Sequence, residues 1–287
     1  MPESRASDVP AAFRPVVIIG APRSGTNMLR DALTAVPGLA TWPCDEINYI
    51  WRHGNVRHPS DEFPPAFARP QVAAFVRRQF ASLATRTGAA HVVEKTCANS
   101  LRIGFVAAIL PEARYVHIRR DPLDAVASAM KRWRAPLDLP YLLRKARFVP
   151  PSDLPYYASR YLANRVRKLA SAEGRLATWG PRFDGMDELL RRAGLAEVCA
   201  EQWRRCVTSA ARGLADLPAG RVCEVRYEDF VRSPVPELGR ILAFLEVDAR
   251  AAAVDAAVRH VKATKAGGGA RHLQDEELRR VRSIVGE

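Results

Sequence analysis

The chain alternates short apolar runs with longer amphipathic stretches. Val16-Val17-Ile18-Ile19 is an unbroken β-branched run stopped by Gly20, the pattern of a strand buried on both faces. Met28, Leu29, Leu33 and Val36 then recur at helical spacing until Pro37-Gly38 end the helix. His91-Val92-Val93, Arg114 to Ile118 and Val222 to Val225 predict three further strands, each running into a polar turn. A helix is expected over Leu101 to Leu110, closed by Pro111. Pro122 suits the first turn of another, which carries Ala125, Val126, Ala129 and Met130. Leu238, Ile241, Leu242 and Leu245 mark one more. Strands alternating with helices predict an α/β fold, a doubly wound parallel sheet with its site at the carboxyl ends of the strands.

Two segments fall outside this rhythm. Residues 1–15 are polar, contain proline and predict a loose N-terminal segment rather than a signal peptide. Residues 134–220 are Arg-rich, punctuated by proline and helical in pattern, so they read as a helical insertion covering the sheet edge. The full 287 residues suit one large domain better than two.

Composition narrows the field only partly. With 44 Lys+Arg against 31 Asp+Glu, the formal charge is +13, which suits an anionic partner: nucleic acid, a membrane surface or a phosphorylated small molecule. Neither an RNP-type motif nor interleaved aromatics is present, so nucleic acid is not expected. No apolar run of about 18 residues occurs, so no membrane span is expected either. The five cysteines form no CxxC pair and have no histidine at zinc spacing, and no metal site is expected. Their odd number points to reduced thiols and a cytoplasmic location.

The first strand-to-helix turn carries the chemistry. Gly20-Ala21-Pro22-Arg23-Ser24-Gly25-Thr26 lies where backbone N–H groups at a helix N-terminus bind phosphate. The glycine spacing is that of a P-loop, yet Thr26 replaces the Walker lysine and Asn27 takes the place of the metal-ligating hydroxyl. The cation has moved inside the loop, to Arg23. Such a loop fits one phosphate group better than a metal-chelated triphosphate.

Ala21 to Leu29 resembles the 5′-phosphosulfate loop of sulfotransferases that use 3′-phosphoadenosine-5′-phosphosulfate (PAPS). The Arg form is most similar to the tyrosylprotein and carbohydrate branch and its bacterial relatives. The resemblance implies a cofactor site made by Arg23, Ser24, Gly25, Thr26 and Asn27. It also implies a 3′-phosphate site: an Arg at a strand end and a Ser eight positions later, which here are Arg120 and Ser128. A guanidinium there can grip phosphate bidentately, and two helical turns bring the hydroxyl round. Arg119 either assists or faces solvent. Arg226 to Phe230 resembles a family segment whose Tyr lies near adenine, so Tyr227 is either an adenine neighbour or a core aromatic. Lys262 and Lys265 precede three glycines in a stretch that either closes over the nucleotide or stays solvated.

What the resemblance implies for the reaction follows. An acceptor hydroxyl attacks sulfur in line and the product 3′-phosphoadenosine-5′-phosphate (PAP) leaves, with Arg23 stabilising the charge that grows on the leaving oxygen. The histidine that serves as base in the cytosolic branch is absent after Lys95-Thr96, where Cys97 stands. Glu46, shortly after the first helix, is the candidate base and His53 the second; Lys95 would help hold the sulfonate. The acceptor, a small molecule or a peptide or sugar hydroxyl, would be chosen by the insertion, which holds Tyr141, Phe148, Tyr156, Tyr157, Tyr161, Trp179 and Phe183. A homodimer is compatible with the sequence. Two rivals stand: a kinase or NTPase using ATP and Mg²⁺, and a nucleotide-binding protein without catalysis.

Overall fold

A computed structural model describes residues 13–135, 146–159, 179–262 and 267–286. Tyr141, Tyr161 and Lys265 lie outside the described residues, as do residues 1–12 of the N-terminal segment.

Five strands form one parallel sheet: β1 (Arg14–Ile19), β2 (Leu39–Ala40), β3 (His91–Lys95), β4 (Arg114–Arg119) and β5 (Val222–Arg226), in the order β2-β3-β1-β4-β5. The apolar run of β1 is explained by its central place. Val16 and Ile18 join a cluster with Leu29, Leu33, Ile241 and Leu242 on one face. Val17 and Ile19 join Val76, Phe80, Phe105 and Val106 on the other. Alternate side chains point to opposite faces, so only a strand covered on both sides is apolar throughout. Each such fully buried aliphatic side chain contributes about 1.5–3 kcal/mol relative to an exposed one.

The helices follow the expected alternation. They are α1 (Thr26–Thr34), α2 (Asn48–Arg52), α3 (Pro70–Thr87), α4 (Ile103–Ile109), α5 (Pro122–Arg134), α6 (Met186–Arg192), α7 (Leu195–Ala215), α8 (Tyr227–Arg232), α9 (Pro234–Phe244), α10 (Ala251–Ala257) and α11 (Asp275–Val285). The helix expected over 101–110 is shorter. A 3₁₀ turn takes Cys97–Leu101, and Arg102, with φ −147°, breaks the path before α4. A third cluster lies under α5, where Val126, Met130 and Trp133 meet Cys199, Cys206 and Val281. Helix α7, within the 134–220 segment, is thereby packed against the helix that carries Ser128.

Pairing register determines what meets at the sheet edge. Ile18 sits beside both Lys95 of β3 and Val116 of β4, and Arg119 sits beside Arg226 of β5. The residues following these strands (Gly20, Thr96, Arg120 and Tyr227) therefore emerge along one edge, where the strand order reverses across β1. No helix among the described residues is long and apolar enough to cross a membrane.

Candidate active site

The turn after β1 is tightly wound. Arg23 has φ 69°, and Gly25, the residue before α1, has φ 89°. Ser24 and Thr26 are buried, whereas Asn27 is half-buried. The first N–H groups of α1 have no partner within the helix and carry its positive end.

The turn after β4 meets this loop. Arg23 Nε donates to Ser128 Oγ at 3.0 Å, across 105 residues of chain. Arg120 donates to the Arg23 carbonyl at 3.0 Å, and its guanidinium lies 4.3 Å from the centre of the Tyr227 ring. Arg120 Nε is buried and has no hydrogen-bond partner among the described residues. Arg23 is exposed as a residue, but its guanidinium is crowded. Partial burial, then the charges of Arg132 and Arg120, draw its proton affinity below that of an ordinary arginine. Two guanidiniums, with one donor unmet, are an arrangement that suits an anionic ligand. Arg132, exposed in the last turn of α5, adds positive charge near Arg23, and no sequence motif signals it.

Beside the loop, β3 delivers Lys95. Its ammonium donates to Glu46 Oε1 at 3.2 Å, and the Cys97 amide donates to the same oxygen at 3.3 Å. Thr96 Oγ accepts from the Ile47 amide at 3.2 Å, which holds the Glu46 segment against the strand end. Burial is the largest single influence and would loosen the Lys95 proton, but the charge of Glu46, with smaller help from Cys97 and Asp45, holds Lys95 above its ordinary value. Burial, and then the charge of Glu46, pushes Cys97 up to about 12, so that thiol is inert at neutral pH. An open cleft of about 390 Å³ borders this segment, lined by Arg30, Asp31, Thr41, Trp42 and Cys44 among others.

The remaining sequence candidates are placed differently. His53 Nδ1 lies 2.9 Å from Asp153 Oδ2, and its ring packs on Phe75 at 3.9 Å. Tyr157 stands edge-on to Tyr49 at 4.6 Å, which brings part of the 134–220 segment over α2. Phe183 is in the third core cluster, with Trp179 packed against it. Arg119 is more than half exposed and pairs with Glu224 at 3.4 Å. Tyr227 is buried at the head of α8 and touches the loop and Arg120 at once. Lys262 is exposed. Among the described residues, no group of three or more His, Cys, Asp or Glu could hold a metal ion.

No curated protein matches this chain. Its fold is similar to that of the STF1 sulfotransferase from Mycobacterium tuberculosis, with a TM-score of 0.55 and 14% identity over 96% of this chain and 77% of that one. The sulfotransferase domain from the curacin biosynthetic pathway is similar at a TM-score of 0.52 and 13% identity, over 96% and 98% of the two chains. A sulfotransferase from Alicyclobacillus acidocaldarius matches at a TM-score of 0.50 and 16% identity, over 96% and 97%. The sequence profile of the sulfotransferase family matches residues 15–175 and 164–251, and the chain belongs to that family.

Proposed function

We propose that this protein transfers a sulfuryl group from PAPS to a hydroxyl acceptor by in-line displacement and releases PAP. The observation that carries this reading is the contact of Arg23 with Ser128, with Arg120 bonded to the Arg23 backbone. Two anion-binding turns, distant in sequence, make one continuous site. A single phosphate needs only the first turn; a nucleotide with phosphates at both ends uses both.

In this reading the amides of the 24–27 turn and Arg23 bind the 5′ end. Arg120 and Ser128 hold the 3′-phosphate, and the Tyr227 ring lies beside the base. Arg23 stabilises charge growing on the leaving oxygen. Glu46 takes the acceptor proton, and Lys95 turns toward the transferring group. The Lys95–Glu46 pair bears on this order of events. A carboxylate bonded to an ammonium is a poorer base, so Glu46 gains basicity when Lys95 engages the anion instead. Aromatic side chains of the 134–220 segment, Tyr156 and Tyr157 among them, would face the acceptor.

Calorimetric titration with PAP, AMP and Mg·ATP tests the donor site. PAP is expected to bind far more tightly than AMP without Mg²⁺. Arg120→Ala should weaken PAP about ten- to a hundredfold, the loss of charge-assisted bonds to one phosphate. If PAP binds no better than AMP while Mg·ATP binds well, the kinase-like reading takes its place.

A further inference from the structure

An acidic side chain stands beside Arg120 in the proposed donor site. Asp124, in the first turn of α5, is buried, and its carboxylate lies 3.6 Å from the Arg120 guanidinium one helical turn earlier. Its two oxygens accept backbone N–H groups from the other end of the chain. Gly267 donates to Oδ2 at 2.9 Å and Gly269 to Oδ1 at 2.6 Å. The approach is close: a Cβ added at Gly269 would meet the Asp124 nitrogen and the Leu123 carbonyl carbon at 2.4 Å. Only glycine lets the two backbones touch in this way. The helix itself is capped by Asp121, whose carboxylate accepts from the Asp124 amide at 2.9 Å. Capping therefore does not require Asp124.

A carboxylate beside a phosphate site weakens anion binding unless its charge is spent elsewhere. Here two amides and one guanidinium consume it. Arg120 is consequently fixed from three sides: the Arg23 carbonyl, the Tyr227 ring and the Asp124 carboxylate. Its Nε donor is left unmet among the described residues.

We propose that Asp124 is a positioning residue for the 3′-phosphate, tying the backbone of Gly267 and Gly269 to α5 and aiming Arg120 at that phosphate. The proposal rests on the donor-site reading above. Binding energy then depends on Asp124 only when the ligand carries a 3′-phosphate, because Asp124 acts through Arg120.

The test is calorimetry of Asp124→Asn and Gly269→Ala with PAP and AMP, alongside thermal unfolding of each variant. Asn keeps the shape but loses the charge and half of the acceptor capacity; Ala forces the C-terminal backbone off the helix. Both are expected to weaken PAP about tenfold or more while AMP affinity changes less than about twofold. Asp124→Glu should regain part of the loss. PAP affinity unchanged in Asp124→Asn overturns the proposal. So does an equal loss for PAP and AMP accompanied by a lower Tm, which marks a purely structural residue. Wild-type protein that fails to bind PAP overturns the donor-site reading itself, and this proposal with it.

Discussion

At the scale of single residues, the Glu46–Lys95 pair decides whether the chemistry has a base. Glu46 is 49 positions from Lys95, and their contact depends on Thr96 holding the Ile47 amide. Glu46→Gln keeps the side-chain volume and removes the proton acceptor. If Glu46 is the base, kcat should fall about 10²- to 10⁴-fold, with PAP affinity unchanged. Near-normal turnover by Glu46→Gln, once an acceptor is known, would transfer the role to another group. His53 is then the next to replace, although its Nδ1 is already engaged by Asp153. The structure brings together the residues that had a local signature: Arg23 within its glycines, and Arg120 with Ser128 at a fixed spacing. Asp124 acquires meaning only from its three-dimensional neighbours. For Asp124 one signal was available, its i,i+4 spacing from Arg120, but that spacing is equally common in surface ion pairs.

Between elements, the β1–α1 turn packs directly on the head of α8. Gly25 has φ 89°, and a Cβ there would meet Tyr227 Cδ2 at 2.4 Å. Gly25→Ala thus forces a left-handed alanine, costing about 1–2 kcal/mol, and also displaces the ring on which Arg120 rests. The expected outcome is a Tm lower by several degrees and a marked loss of PAP affinity, read by calorimetry of unfolding and of binding. A variant with unchanged Tm and affinity would mean that the loop tolerates another path. The main strands were legible because a buried parallel strand must be apolar and must stop at a polar turn. Two-residue β2 was not, since no periodicity exists over so short a span. The break at Arg102 was hidden for another reason. Ile103, Val106 and Ile109 keep helical spacing beyond it, while Arg102 is held by a local hydrogen bond to Asn99 and a tertiary one to Asn48.

For the molecule as a whole, those hydrogen bonds belong to a buried polar chain that joins the sheet to the segment covering it. Glu94 on β3 accepts from Asn99 at 2.8 Å. Asn99 accepts from Arg102, which also reaches Asn48. Asp61 receives Arg52 at 2.7 Å and the Arg182 amide at 2.8 Å, the latter from beyond α5. Burial raises the Glu94 carboxyl to about 7, despite the opposing pull of Thr96 and Trp51 and, more weakly, of Arg102 and Lys95. The folded protein therefore holds a proton that the unfolded chain releases above its ordinary value of 4.5. This contribution to stability is complete below pH 4.5, falls as pH rises toward 7, and is constant above that. Its span is about 3 kcal/mol. Glu94→Gln fixes the neutral form and keeps the bond from Asn99. Urea unfolding of both proteins across this range should show the variant gaining on the wild type as pH rises, with the gap levelling off near neutrality. Other carboxylates titrate in the same window, and the subtraction cancels them. A difference that stays flat with pH would mean that Glu94 is ionised in the folded protein, balanced by Arg102, and that the polar chain is an ion-pair network throughout.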